Sequence, residues 1–199
     1  MKIYVLSLVN LTATLLALCW RILSPLVRGI GRFNNLVLLR SRCRGTIPVS
    51  TQFDGPVRTS GSPRVSIGEH CRLGREVFFE TGEGGEIRIG NHVRINTGAM
   101  LVAYSRVCVE DECLIGEYVS IRDADHATVP GKPIRQQGHV SSPVLVKKGA
   151  WIARGCVILK GVTIGERAVI GAHSVVTKDI PDHALAVGAP ARVTRYQTS

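Results

Sequence analysis

Asp123-Ala124-Asp125-His126 sets an imidazole one and three residues after two carboxylates. A histidine at the foot of an exposed loop can exchange protons near neutral pH, which makes His126 a candidate general base. Either Asp123 or Asp125 would serve to orient the ring and stabilise its charged form; both residue types also serve plain turn chemistry at a loop entry. A lone loop histidine is more often solvated and inert, so the case rests on the elements around it. Asn96, after Ile95, suits a corner, because asparagine tolerates the left-handed backbone.

Those elements are announced by a six-residue period. Val146, Ile152, Ile158, Ile164, Ile170 and Val176 recur without a slip, and two positions before each stands a mostly small residue: Val144, Ala150, Cys156, Val162, Ala168 or Ser174. Alternation puts both sets on one face of a short strand. The pattern extends back through Ile67, Leu73 and Phe79, then Ile89, Ile95 and Leu101, then Val109, Ile115 and Ile121. Gly68, Gly74, Gly90, Gly116, Gly165 and Gly171 follow directly, where a corner is expected to need a permissive backbone. A helix cannot use this period. Three short parallel strands per turn can, giving a prism of about five coils at ~4.8 Å per rung. The period breaks once at length: residue 127 would be next after Ile121, yet register resumes near Val144. Residues 127–143, polar with Pro and Gly, read as a structureless functional excursion with His126 at its base.

Over residues 65–195 the chain resembles the hexapeptide-repeat acyltransferases. The most specific stretches are Trp151 to Gly165, Ile170 to Pro181, and the closing Gly188-Ala-Pro-Ala-Arg-Val-Thr-Arg195. These resemble the sugar and polysaccharide O-acetyltransferase branch. The resemblance implies an all-β fold, a left-handed parallel β-helix; the residues before and after it add an N-terminal hydrophobic helix, in place of the family's helical cap, and a short C-terminal tail. It implies a catalytic histidine about two dozen residues before Trp-Ile, and His126 lies twenty-five before Trp151. It assigns Asn96 a polar contact to the acceptor or developing oxyanion, and Trp151 a place beside the acceptor. Acetyl-CoA, the implied co-substrate, would run past Ala153 and Ala172, with Thr177, Lys178, Arg192 and Arg195 on its amides and phosphates. Asn96 and His126 fall at different corners of different coils, so they would meet only between subunits, as in the homotrimers typical of the family. Lys147-Lys148, Arg154 and His173 depart from the family pattern.

The net charge of +10 is divided unevenly: residues 1–64 hold nine Lys/Arg against one acid, and the remainder sixteen against fourteen. The repeat therefore lacks the basic, aromatic-studded surface of a nucleic-acid binder. Ile3 to Trp20 is free of charge, arginines follow it, and Pro25, Gly29 and Gly31 are expected to interrupt any helix there. This reads as a membrane anchor or interfacial helix at the cytoplasmic face of the inner membrane, against the alternative of a buried core helix. Six cysteines without ligand spacing read as reduced thiols, and six histidines without a close pair argue against a metal site.

The expected organisation is a membrane-associating segment at 1–45, a β-helix at 46–179 with the excursion 127–143, and a C-terminal cap at 180–199. The expected activity is acetyl transfer from acetyl-CoA to a sugar or glycan hydroxyl. A non-catalytic scaffold at a membrane, or an acetyltransferase acting on an amine or amino acid, stands as the alternative.

Overall fold

The computed structural model describes residues 2–197, with the side chains of residues 13–14 and 16–197. Two compact units are present, residues 1–34 and residues 35–199.

One helix, α1, runs from Lys2 to Arg42 through Pro25, Gly29 and Gly31, so the expected interruption does not occur. Proline removes one amide donor from the ladder, and both glycines face open space, so no packing demands a break there. Its last turns are held firmly within the second unit. Leu36, Leu39 and Cys43 are buried in the prism's apolar cluster, and the Asn35 amide donates to the Gly55 carbonyl at 3.1 Å. Further back, Leu16, Leu18, Trp20, Ile22, Leu23, Leu26, Val27, Ile30 and Phe33 are all exposed. Among the described residues no helix is long and apolar enough to cross a membrane. Most of the side chains in the uncharged run 3–20 lie outside those described.

The second unit is a left-handed parallel β-helix, its strands stacked in sheets of eight, six and five. All fifteen registered positions, from Ile67 to Val176, are essentially buried, as are the residues two before each, from Val65 to Ser174. Parallel ladders hold the register, for example Ile95 beside Ile115, Ile115 beside Ile152 and Ile152 beside Ile170. The fifteen positions, three to a turn, account for five coils, and Gln52–Phe53 and Arg58–Ser60 add an earlier one that the period did not reach. The chain closes with an antiparallel pair, Ala184–Gly188 and Ala191–Tyr196.

The corners work differently from expectation. Where glycine directly follows a core residue it is needed for close approach, not for a positive φ: a Cβ on Gly116 would lie 2.6 Å from the amide nitrogen of Arg154 in the next coil. The left-handed position falls two residues later. Glycine fills it at Gly98, Gly149 and Gly155, but His70, His92, Tyr118, Arg167 and His173 also adopt φ of 53–58° there. His173 thus departs from the usual glycine while keeping the turn. Asn96 is not in this set, so its corner role is different.

Candidate active site

The excursion is not structureless. Ala124–His126 and His139–Ser141 pair antiparallel, and a short 3₁₀ turn, Ile134–Gln136, lies in the loop between them. The register sets His126 opposite His139, with ring centroids 4.5 Å apart. His139 also meets the Tyr104 ring, with centroids 4.0 Å apart. His126 is therefore carried by a hairpin and flanked by a ring, where a free loop would leave it mobile. His70 and His92 also stack, at 5.2 Å, across successive coils. Two close histidine pairs exist, then, although the sequence spacing shows none; among the described residues no three metal-binding side chains gather at one point.

Neither aspartate is bonded to the imidazole. Asp123 is fully buried, and its carboxylate accepts the amide N–H groups of Tyr104 and Ser105, each at 2.7 Å. It fixes the turn that carries Tyr104, which corrects its expected part in orienting His126. Asp125 pairs with Lys160 in the following coil. Glu80, Val102, Tyr104, Arg122, Asp125, His126 and His139 line a groove of about 480 Å³. Its mix of imidazoles, carboxylates, a phenol and a guanidinium suits a hydroxyl-rich ligand better than an apolar one. Neither His139 nor Tyr104 belongs to the repeat, so periodicity misses both. The available signal was a second histidine, beside Gly138, closing the same Pro- and Gly-bearing segment that His126 opens.

The other expected site residues are distributed along the prism edges. Asn96 directly follows the strand Arg94–Ile95 of the eight-stranded sheet, accepts from the Arg94 guanidinium at 3.1 Å, and does not line the His126 groove. Ala153 follows Trp151–Ile152 in the same sheet, and Ala172 follows Val169–Ile170 one coil on. Arg192 stands opposite Val187, whose side chain packs on Gly171, and so belongs to that edge; Arg195 stands opposite Leu185. Thr177 and Lys178 follow Val175–Val176 of the six-stranded sheet and stack beyond Leu159 and Lys160, on the edge that bears the His126 hairpin. One edge thus does not gather all six. Trp151 is 49% exposed and stands beside Leu114, 46% exposed, on the outer face of the eight-stranded sheet. The Arg154 guanidinium lies over the Tyr118 ring at 5.4 Å, which explains that departure as a local cation–π contact.

Buried thiols complete the interior. Cys71, Cys113 and Cys156 donate to the carbonyls of Gly90, Lys147 and Gly171 at 3.0–3.1 Å. Burial pushes the Cys113 thiol up to about 12, far from a reactive thiolate.

Residues 143–178 match the family model described as bacterial transferase hexapeptide (six repeats). Over 130 residues the chain is 34% identical to galactoside O-acetyltransferase of Lactococcus lactis, a match covering 65% of this chain and 61% of that one. It is 36% identical over 136 residues to galactoside O-acetyltransferase of Escherichia coli, covering 66% and 63%. The chain spans less than two thirds of the length of the curated relatives it matches. A hexapeptide-repeat acetyltransferase from Vibrio cholerae, solved with acetyl-CoA, superposes with a TM-score of 0.58 at 25% identity, over 82% of this chain and 76% of that one.

Proposed function

From the premise that the chain belongs to the hexapeptide-repeat acyltransferase family, we propose that it moves an acetyl group from acetyl-CoA to a sugar hydroxyl, with His126 as the general base. The observation that carries this reading is the hairpin that holds His126 against His139 at the mouth of a polar groove, at the one long break in the repeat. The galactoside O-acetyltransferases among the relatives support a sugar as the acceptor. In the reaction, the acceptor oxygen attacks the thioester carbonyl as His126 takes its proton; the tetrahedral adduct then expels the CoA thiolate, which receives that proton. His139, in contact with both the His126 and the Tyr104 rings, restrains the tilt of the His126 ring. Asn96 sits outside this groove, so its expected part in catalysis requires a second subunit. The exposed Trp151 and Leu114 support a homotrimer as the form that would supply one.

The exposed apolar residues from Leu16 to Phe33, interspersed with Arg21, Arg28 and Arg32, support attachment to the cytoplasmic face of a membrane, beside a lipid-borne glycan acceptor. Two measurements test the proposal. Titration calorimetry should show acetyl-CoA binding to the full chain, and a panel of glycans should include an acceptor that gains acetyl. Absence of acetyl-CoA binding would overturn the enzyme reading, and unchanged membrane partition after deletion of residues 1–30 would overturn the attachment.

A further inference from the structure

A second groove, of about 470 Å³, adjoins the first along the same edge of the prism. The two are contiguous in the chain: Glu80 lines the His126 groove, and the next residue, Thr81, lines the second. They are also contiguous in space, because the Tyr104 ring lies against Gly82, so closely that a Cβ there would come within 2.4 Å of it. The second groove is built from Arg44, Ser62, Arg64 and the turn at residues 81–85.

Arg44 and Arg64 are bridged neighbours on parallel segments, joined by the Arg44 amide to Pro63 and the Val65 amide to the Arg44 carbonyl. Both are exposed, and neither takes part in any of the ion pairs formed among the described residues. Glu83, the one acid in the groove, pairs with neither. Like charges placed side by side on adjacent strands are unfavourable. The fold keeps two of them lining one groove, next to a turn in which Gly84 faces open space while Gly82 lies against Tyr104 and Gly85 against the Ala103 backbone. A guanidinium pair of this kind is suited to a phosphate, which accepts several donors at once and removes the repulsion.

We propose that this groove binds the phosphate or diphosphate of an acceptor sugar whose hydroxyl reaches His126. The inference rests on the proposed function for the second half of that statement only. Register supports the span: Glu80, Val102 and Arg122 stack in successive coils, so the turn at 81–85 lies two rungs, ~10 Å, from the level of the His126 hairpin. That distance accommodates a glycosyl phosphate laid along the edge. The sugar phosphate could be esterified to a nucleoside or to a membrane lipid; the two share the chemistry that Arg44 and Arg64 recognise.

The test uses the full-length chain and three probes: inorganic pyrophosphate, uridine diphosphate, and phosphatidylcholine vesicles carrying a polyprenyl phosphate, with plain phosphatidylcholine vesicles as the baseline. Wild type is compared with the doubly substituted Arg44→Gln/Arg64→Gln chain and with Arg44→Lys/Arg64→Lys. Pyrophosphate binding should weaken at least tenfold in the glutamine variant and recover in part in the lysine variant, with the thermal midpoint unchanged. Loss confined to uridine diphosphate identifies a nucleotide-linked acceptor, loss confined to the vesicles a lipid-linked one, and loss of both supports the shared site. Equal binding of all probes to wild type and the glutamine variant, or no binding by wild type, overturns the proposal. His126→Ala should bind pyrophosphate like wild type. Pyrophosphate binding by a wild-type chain that transfers acetyl to no acceptor would sink the acyltransferase reading and leave this site standing.

Discussion

Replacing Asp123 by asparagine separates a structural carboxylate from a catalytic one. The wild-type carboxylate is fully buried and satisfies two amide donors, Tyr104 and Ser105, at 2.7 Å each. Asn keeps one acceptor oxygen and presents an NH₂ to the other N–H. One hydrogen bond to a charged acceptor is lost and one buried donor is left facing another, a cost of about 3 kcal/mol. For 199 residues the unfolding entropy is ~0.4 kcal/mol/K, so the midpoint should fall by about 7 °C. Well below that midpoint, kcat for acetyl transfer should stay within about threefold of wild type with an unaltered pH profile, because the carboxylate is not bonded to His126. KM for the acceptor can rise, since the turn carries Tyr104. The assay is a melting curve paired with steady-state kinetics on the same preparation. A kcat loss on the order of 10⁴ with a wild-type midpoint, as expected for an aspartate that orients a catalytic histidine, would refute the reasoning.

Three further outcomes follow from the interior. Burial raises the thiols of Cys43 to about 11 and Cys113 to about 12 from an ordinary 9.0, so the unfolded chain gives up these protons first. Their stability contribution is intact below about pH 9 and is lost as pH rises toward 12, at up to ~1.4 kcal/mol per unit for each thiol; denaturant titrations of Cys113→Ala should show a shallower alkaline fall. Gly116→Ala pushes a Cβ into the Ala153–Arg154 backbone and should cost more than 2 kcal/mol by chemical denaturation, whereas Gly131→Ala, at φ 86° but in open space, should cost about 1 kcal/mol. Ile158→Ala, between Ile121 and Val176 in the ladder, should cost about 2–5 kcal/mol by the same measurement; a neutral result would mean that the interior is not packed as described.

The prism was legible because each strand must bury one large residue at a fixed place, three to a coil, and burial constrains residue type. Every position from Ile67 to Val176 in that series is interior. The hairpin was not legible for the converse reason: Ala124–His126 and His139–Ser141 bury almost nothing, so no apolar alternation marks them. Their pairing is set by backbone register, which also brings His139 to His126. Long-range hydrogen bonding hid the role of Asp123, whose partners lie eighteen and nineteen residues away. The helix continued past Pro25 because its far end is fixed by Leu36, Leu39 and Cys43, apolar positions at helical spacing that the arginines around them obscured. The glycines were read correctly as corner residues but for the wrong physical reason, since close approach of the next coil, not φ, selects them.

The measurement that bears most directly on the proposed activity is the turnover of His126→Ala with acetyl-CoA and the best acceptor from the glycan panel, alongside its acetyl-CoA affinity. A general base contributes about 10²–10⁴ in rate, so kcat should fall by that factor while acetyl-CoA binding stays within a fewfold of wild type. Turnover equal to that of the unaltered chain would contradict the assignment of His126 and, with it, the groove as the catalytic centre.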